Sequence, residues 1–377
     1  MIPLNKPGRV NSSSCGGNLL EYYFPQNNTY LLSTASDALN VIYKRLFEEK
    51  GSIRVGVSPL VCFQAIYPIV CNGHVPVFMD INPDTFNLDV NKLNDYDIQA
   101  LEVIHLGGNP NEMDTIIKFA NTRGIPAIED CAQALGAKYD ERYLGNYGDF
   151  AAFSLIKNLH APSGGLLVSV SDLSSYLNEV PEMGSLLRMY RKTKIYLEGM
   201  ANHHPLNIWN LFYWGLMTLK GVAAGYSLSK DVHQLKSGDV EDIKRRFAAL
   251  ESLLHRRSEN AIRIIQDVDC RRAKVQVVPE RGVSNWNRIM FKLVDKDAEE
   301  VIGRLRREGI AANNLTQNYK HGFQPHVSKD RLLARFYQVR LEAYENLLPH
   351  IISVPSSPFL KEDEIRHISR QMNSILS

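Results

Sequence analysis

The stretch FAAFSLIKNLHAPSGGLLVSV, residues 150–170, decides the fold because it joins two strand-like runs through one short connection. Its first run, FAAFSL (150–155), is continuously apolar and predicts a buried strand. The second run, GGLLVSV (164–170), begins at a glycine pair, which lets the backbone turn tightly. Lys157 is the one lysine between the two runs, directly after the first strand.

Short apolar or β-branched runs alternate with helical patterns through the first half of the chain. Apolar residues spaced i, i+3, i+4, i+7 predict helices behind Ser36, from Phe63 to Gly73, and from an Asn109-Pro110 start to a stop at Gly124. This alternation predicts an α/β fold with a mostly parallel central sheet. The strand candidates are RVGVSP (54–59), VPVFMD (75–80), LEVIHL (101–106), PAIED (126–130), FAAFSL (150–155) and GGLLVSV (164–170).

The second half of the chain has a different pattern. We predict a large domain over residues 1–238, with an aromatic-rich helical insertion at about 180–235 that contains NIWNLFYWGLMTL (207–219). That segment is interpreted as core packing, a dimer surface, a nucleotide-sugar lid or a face that touches a membrane. An apolar stripe from Val240 predicts one long bridging helix into a small α+β domain, so that residues 239–377 form the second domain. A strand candidate at 287–293 and helix candidates at 297–308 and 361–376 follow.

Composition narrows the classes of partner. Lys plus Arg total 43 against 41 for Asp plus Glu, a net charge of +2, so no strong field favours nucleic acid or an anionic membrane. The five cysteines show neither CxxC pairing nor zinc spacing, which suits a reducing compartment. The N-terminus lacks an apolar signal region, and the run at 211–219 is too short to span a bilayer. We therefore expect a cytoplasmic protein with a small-molecule partner, no nucleic acid and no membrane span.

Chemically useful side chains follow several predicted strands. Asp130 closes PAIED, His105 closes LEVIH, Ser154 and Lys157 follow FAAF, and Phe63 begins the helix after VSP. In an open parallel sheet, ligands bind at the carboxyl ends of the strands, so these residues converge on one edge. No G-x-G-x-x-G lies between a strand and a helix, which disfavours a dinucleotide.

These residue types match what pyridoxal phosphate requires of a protein. Lys157 supplies an amine for a Schiff base, and Asp130 supplies a carboxylate that keeps a pyridine nitrogen protonated. Phe63 supplies an aromatic wall for the ring. A phosphate needs backbone N–H groups at a helix N-terminus, and STASDAL (33–39) offers them at Ala35, Ser36 and Asp37.

Each residue also has a simpler structural interpretation. A lone lysine after a strand is usually solvated, Phe63 alone fits a helix core, and Ser36 alone fits an N-cap. Asp130 alone fits a helix cap or an ion pair. The Asp37 carboxylate would repel a phosphate unless its side chain turns away. Only the common location of these residues at one sheet edge favours the joint assignment.

The segment IEDCAQALGAKYDERYLGNYGDFAAFSLIKNLHAPSGGLL resembles the core of the DegT/StrS-type aminotransferases, which act on nucleotide-linked keto sugars with pyridoxal phosphate. The resemblance covers residues 30–170 and implies a fold-type I aminotransferase-like fold and a role for each matching position. Asp130 would pair with the pyridine nitrogen, Gln133 would lie near the ring hydroxyl, and Ser154 would bind the phosphate. Lys157 would form the Schiff base, and Phe63 would stack on the ring.

Three features depart from the family pattern. The Ser154–Lys157 spacing in SLIK is two residues shorter than in many members, and PSGG replaces the common G-E-G-G. The family segment that reaches an asparagine into the neighbouring subunit is not recognisable in 180–240. Substrate-binding residues are therefore unassigned, with His105, His160 and Tyr319 as the candidates beside ordinary packing roles. His105 resembles a family position near the cofactor.

The resemblance implies transfer of an amino group from an amino acid, glutamate being expected, to a nucleotide-linked keto sugar for amino-sugar and polysaccharide biosynthesis. It also implies a homodimer, and no metal site is expected. Two alternatives stay open. One is different chemistry on the same fold, either a dehydratase, against which Lys157 argues, or a desulfurase-like enzyme, which would need a mobile reactive cysteine. The other is a non-catalytic, cofactor-binding regulatory protein.

Overall fold

A computed structural model describes residues 19–178, 180–182, 232–235, 237–313, 336 and 339–377. Its main sheet has seven strands: β1 (Asn28–Leu32), β2 (Arg54–Val57), β3 (Val75–Phe78), β4 (Ala100–Ile104), β5 (Ala127–Asp130), β8 (Phe150–Ser154) and β9 (Gly165–Ser169). They lie in the order β1-β9-β8-β5-β4-β2-β3. Pairing is parallel from β3 to β8, and β9 is antiparallel to both β8 and β1. The mostly parallel α/β sheet is therefore confirmed.

The reversal at β9 follows from the length of the connection. Residues 155–164 are fewer than the dozen or more that a parallel crossover needs, so the chain returns antiparallel, with Ser154 opposite Gly165. The connection contains only the short helix α5 (Leu155–Leu159) and a turn in which Gly164 has a φ of 130°. Such a positive φ strains any residue with a side chain.

Helices cover both faces of the main sheet. Alternate residues of each strand point to opposite faces, and the helices α2 (Ala35–Lys50) and α3 (Phe63–Cys71) pack on one face. The opposite face is covered by α1 (Leu19–Tyr23), α4 (Met113–Arg123) and α7 (Ser237–Ala248). The other described helix of this part of the chain is α6 (Ser174–Leu177).

The C-terminal half builds a second apolar core. The further elements are β6 (Lys138–Tyr139), β7 (Arg142–Tyr143), α8 (Leu250–Asp267), β10 (Ala273–Val275), β11 (Gly282–Val283), β12 (Ile289–Leu293), α9 (Ala298–Arg307), α10 (Glu342–Leu347), β13 (Ile351–Val354) and α11 (Glu362–Leu376). A three-stranded antiparallel sheet, β10-β12-β13, packs with the helices α8, α9 and α11. A third sheet, β11-β6-β7, pairs a strand of this half with a hairpin of the first. Short 3-10 turns lie at Val90–Asp95, Leu106–Gly108 and Leu348–His350.

Several local predictions need correction. The predicted bridging helix is two helices, because Ala249 (φ −101°, ψ 4°) separates α7 from α8. Helix α4 begins at Met113 rather than at Asn109-Pro110, although Gly124 ends it in a left-handed conformation as predicted. Thr34, not Ser36, caps α2, since the Thr34 hydroxyl accepts the N–H of Asp37 at 3.1 Å.

Other predictions fall outside what the structure tests. The segment 207–219 lies outside the described residues, and the domain boundary at 238/239 stays a prediction. No helix among the described residues is both long and apolar enough to cross a membrane. The four described cysteines, Cys62, Cys71, Cys131 and Cys270, are free thiols.

Candidate active site

Lys157 lies on α5, one turn past the end of β8. Strand β8 is buried throughout, whereas Lys157 is half-buried, so its amine is not sealed in the core. Burial raises the pKa of the Cys62 thiol, and the cationic amine of Lys157 partly opposes that shift. Lys157 is therefore close enough to the start of α3 to act electrostatically on it.

Asp130 is the last residue of β5, the strand that neighbours β8. Its carboxyl is 6% exposed, and the Ala132 N–H donates to Oδ1 at 2.9 Å. Burial raises the pKa of Asp130 above its ordinary value, and the Ala132 N–H, Lys157 and His105 only partly offset this effect. A buried carboxylate with incomplete compensation favours a further cation beside it, which a protonated pyridine nitrogen would supply.

The N-terminus of α2 presents first-turn backbone N–H groups beside a network of capping side chains. The N–H groups of Ala35 and Ser36 lie in the first turn, where a helix offers its donors no carbonyl partner. The Asp37 carboxylate is 5% exposed and accepts the hydroxyls of Ser33 and Thr34. Its side chain thus turns back into the helix cap. The Ser36 hydroxyl donates to the Gln64 carbonyl at 3.2 Å, which ties α2 to α3.

We call α5 and His160, residues 155–160, the lysine turn. Gly165 brings the N-terminus of α2 into contact with this turn. A Cβ atom at this position would lie 2.1 Å from the carbonyl carbon and oxygen of Thr34 and 2.5 Å from the Ala35 nitrogen. Next to it, the Gly164 N–H donates to the Ser33 carbonyl, and the Gly164 carbonyl accepts the Leu155 N–H, both at 3.0 Å. The glycine pair of PSGG therefore holds the α2 terminus directly against the start of α5.

We expect Gly165→Ala to damage this contact strongly, because the added methyl group meets backbone atoms that cannot rotate away. Overpacking of this kind costs about 1–3 kcal/mol of unfolding free energy. The affinity for pyridoxal phosphate should fall at least about tenfold, equivalent to roughly 1.4 kcal/mol. Urea unfolding and an absorbance titration with the cofactor measure the two effects.

Gly303→Ala is the matched control. Gly303 lies inside α9, and a Cβ atom there would have no neighbour within 4 Å. Alanine is favoured over glycine in a helix by up to about 1 kcal/mol, so this variant should keep or gain stability. Equal behaviour of the two alanine variants would contradict the close-approach role of Gly165.

Gln133 and Phe63 complete the set of predicted cofactor residues. The Gly107 N–H donates to Gln133 Oε1 at 2.8 Å, so this side chain is held against the turn after β4. Phe63 is the first residue of α3, half-buried, with its ring centroid 5.5 Å from that of Tyr67. Ser154 ends β8 and is 8% exposed. The structure thus brings the ends of β5 and β8 and the starts of α2 and α3 to one side of the sheet.

His105 belongs to a buried network behind this edge. It is 1% exposed; Nδ1 accepts the Asn111 N–H at 3.2 Å, and Nε2 lies 3.3 Å from Glu129 Oε2. Burial alone would raise the pKa of Glu129, but His105 and the N–H groups of Gly145 and Gly148 lower it below the ordinary value. His105 remains a candidate near the cofactor, although its described contacts are those of a packed histidine.

Glu129 also belongs to a group of three side chains whose atoms are of the kinds that bind metal ions. His105, Glu129 and Cys131 place such atoms within 4.8 Å of one another, all buried. Both carboxylate oxygens of Glu129 already accept backbone N–H groups, from Gly145, Tyr147 and Gly148, each at 2.8 Å. Glu129 therefore orders the loop before β8, residues 145–148.

His160 ends the lysine turn instead of facing its amine. It has a left-handed backbone (φ 54°), its ring packs edge-on against Phe359 at 5.2 Å, and its Nε2 lies 3.3 Å from Arg257 Nη2. Burial and the nearby cations Arg257 and Arg246 lower its pKa to about 3, so the ring is neutral. Its role in substrate binding stays a prediction. Tyr319 lies outside the described residues.

Comparison with known proteins identifies the family. The model of the DegT/DnrJ/EryC1/StrS aminotransferase family matches residues 19–186. The spore coat polysaccharide biosynthesis protein SpsC of Bacillus subtilis (strain 168) is 36% identical over 339 residues, which cover 85% of this chain and 78% of SpsC. The chain belongs to the DegT/DnrJ/EryC1/StrS aminotransferase family. By contrast, it spans 48%, 29% and 30% of the length of three other curated relatives.

Solved structures of a sugar aminotransferase and a sugar dehydratase share the fold. The sugar aminotransferase CalS13 from Micromonospora echinospora has a TM-score of 0.69 at 18% identity, covering 99% of this chain and 100% of CalS13. A GDP-4-keto-6-deoxymannose-3-dehydratase, ColD, with bound GDP-perosamine has a TM-score of 0.70 at 18% identity, covering 94% of this chain and 90% of ColD. The fold-type I architecture is therefore confirmed. The expectation of pyridoxal phosphate is confirmed at the level of the family, which depends on this cofactor.

Sequence reasoning missed one buried acid near Asp130. Glu102, on β4, is 0% exposed and accepts the Tyr43 hydroxyl on Oε2, whereas Oε1 has no hydrogen-bond partner among the described residues. Burial and the neighbouring Asp130 raise the pKa of Glu102 well above its ordinary value. The surroundings of Glu102 therefore favour its protonated form. Its position inside the apolar run ALEVI was the available signal.

We expect Glu102→Gln to preserve stability within about 1 kcal/mol, because glutamine imitates a neutral carboxyl, whereas Glu102→Ala should cost about 1–3 kcal/mol. A raised pKa stabilises the fold at low pH. The wild-type protein should lose stability as pH rises from about 4.3 towards the raised pKa, by at most about 1.4 kcal/mol per pH unit. Urea unfolding across this range should show a smaller slope for Glu102→Gln. An unchanged slope would show that Glu102 is already ionised.

Proposed function

We propose that this protein is a pyridoxal-phosphate-dependent aminotransferase that moves an amino group from an amino acid, with glutamate as the expected donor, to a nucleotide-linked keto sugar. The observation that carries the proposal is the juxtaposition of Lys157 and buried Asp130 at the ends of adjacent strands. Membership of the family supports the reaction class. The name of SpsC supports a role in polysaccharide biosynthesis.

The residues present fit the cofactor in the chemistry of their donors. The first-turn N–H groups of α2 and the Ser154 hydroxyl would hold the phosphate, and Phe63 would cover the ring. Asp130 would hold the protonated pyridine nitrogen, and Gln133 would lie near the ring hydroxyl. When bound, pyridoxal phosphate supplies a carbonyl group for the amine and a ring that accepts electron density from the substrate carbon.

Lys157 has two tasks in this proposal. Its Nζ would hold the cofactor, and the same Nζ would take a proton from the substrate carbon and return it. Proton transfer requires neutral Nζ for part of the cycle. Asp130 would carry its charge beside the pyridine nitrogen, so proton transfer is assigned to Lys157 alone.

The product distinguishes this proposal from the alternative on the same fold. The likeness to the ColD dehydratase is a likeness of fold, and in dehydratase relatives the Schiff-base lysine is replaced, whereas Lys157 is present. The purified protein is given pyridoxal phosphate, glutamate and a panel of nucleotide-linked keto sugars, and products are followed by mass spectrometry. An amino sugar with equimolar 2-oxoglutarate supports the proposal. A deoxygenated keto sugar, or no product with any donor, would contradict it.

We further propose a cytoplasmic homodimer, on the basis of family membership. Light scattering of the purified protein measures the assembly. A mass near twice 42.7 kDa is the expected result, and a mass near 42.7 kDa would contradict it.

A further inference from the structure

Four successive carbonyls of the lysine turn are held by side chains from the second half of the chain. Asn287 Nδ2 donates to the Lys157 carbonyl at 3.0 Å, and Arg257 Nη2 donates to the Asn158 carbonyl at 3.0 Å. Arg246 Nη1 donates to the carbonyls of Leu159 and His160, at 3.3 and 3.0 Å. Three side chains, from α7, α8 and the loop that precedes β12, thus converge on residues 157–160.

A turn as short as α5 depends on such partners. The last carbonyls of a helix have no intrahelical donor, and five residues are too few to form a stable helix unaided. Buried carbonyls must nevertheless be paired. Cationic donors at the C-terminal end also suit the helix dipole. The short Ser154–Lys157 connection therefore takes its conformation from contacts outside itself.

Arg257 is the most unusual of the three donors. It is 1% exposed and has no acidic side chain within ion-pair distance among the described residues. Its Nη2 donates to the Asn158 carbonyl and lies 3.3 Å from Nε2 of the neutral His160 ring. Its Nη1 has no hydrogen-bond partner among the described residues. Burying a cation without an anion is costly, so a shorter apolar side chain would be preferred for packing alone.

Asn158 links the same turn to the strand that carries Asp130. This fully buried side chain donates to the carbonyls of Ala132 and Ser154, at 3.0 and 2.7 Å. Its Oδ1 accepts the Leu135 N–H at 3.3 Å and Asn285 Nδ2 at 3.2 Å. A shift of the turn would therefore break contacts on both sides of the site.

We infer that Arg257 and Asn287 are positioning residues for Lys157, so that the C-terminal half of the chain fixes the lysine turn at the ligand edge of the sheet. The inference rests on the proposed covalent role of Lys157. It concerns the orientation of the backbone that carries the amine. Neither residue is assigned a contact with substrate or cofactor.

The test compares Arg257→Met, Arg257→Lys and Asn287→Ala with Arg256→Met. Arg256 is the exposed neighbour of Arg257 on the same helix. Its guanidinium lies over the Phe359 ring and forms no described hydrogen bond with the turn, so its variant removes an equal charge without removing a donor to residues 157–160. Three quantities are measured: the dissociation constant for pyridoxal phosphate, the pH midpoint of the visible absorbance band, and the rate at which an amine reagent labels Lys157 in the protein without cofactor. Thermal unfolding of each variant reports whether it is folded.

Arg257→Met and Asn287→Ala should each weaken cofactor binding about tenfold or more, shift the pH midpoint, and change the labelling rate of Lys157. Arg257→Lys should restore part of each effect, and Arg256→Met should match the wild type. If Arg257→Met does not fold, Arg257→Lys and Asn287→Ala carry the test. Folded variants with wild-type values in all three measurements would overturn the inference. Failure of the wild-type protein to link the cofactor to Lys157 would instead overturn the proposed function.

Discussion

Lys157→Ala is expected to abolish amino transfer and the yellow colour of the protein incubated with pyridoxal phosphate. The substitution removes both the covalent attachment and the amine that moves the proton. General acid–base catalysis alone contributes roughly 10²–10⁴-fold to a rate, so the turnover number should fall at least that far. Absorbance spectra and 2-oxoglutarate release from glutamate measure the two losses.

Two further variants separate chemistry from charge. Lys157→Arg keeps a cation near Asp130 but cannot form the covalent link, so it should be as inactive as Lys157→Ala. Lys118→Ala removes an exposed lysine of α4 and should leave both measurements unchanged. Retained colour and activity in Lys157→Ala would mean that another lysine holds the cofactor.

Asp130→Asn is expected to lower the turnover number by roughly 10²–10³-fold, the usual loss when one preorganised electrostatic partner of the reacting group is removed. The amide keeps the shape of the side chain but cannot keep a pyridine nitrogen protonated. Without cofactor, the variant should be at least as stable as the wild type at pH 7, because burial already raises the pKa of this carboxyl and opposes its charge.

Steady-state kinetics with glutamate and urea unfolding of the cofactor-free protein provide the two values for Asp130→Asn. Asp114→Asn is the matched control, because Asp114 is an exposed acid whose ion pair with Arg281 lies at the surface. A turnover number within about threefold of the wild type for Asp130→Asn would exclude the assigned role, since a lost electrostatic partner should cost far more.

The strand pattern of the first half was predictable because it depends on local sequence. Short, largely apolar runs such as RVGVSP and FAAFSL are buried on both faces over most of their length, and their alternation with helical stripes leads directly to a parallel sheet. The position of Asp130 and Lys157 at neighbouring strand ends followed from the same pattern. Capping was less predictable, because Thr34 and Ser36 are both good N-cap residues and only the backbone geometry distinguishes them.

The features that sequence reasoning missed depend on contacts between distant parts of the chain. The sequence around Gly165 gives no sign that a Cβ atom at this position would lie 2.1 Å from the Thr34 backbone. Arg257 lies 99 residues along the chain from Asn158, and Asn287 lies 130 residues from Lys157, the residues whose carbonyls they bind. Their role as donors therefore required the fold. The two-residue strands β6, β7 and β11 are too short to leave a periodic signal.

The covalent link to Lys157 is the central claim, and it can be tested directly. The wild-type protein is incubated with pyridoxal phosphate, reduced with borohydride and digested, and the peptides are mapped by mass spectrometry. The account predicts one phosphopyridoxyl group per chain, on the peptide that contains Lys157. A label on another lysine, or no label at a saturating cofactor concentration, would contradict it.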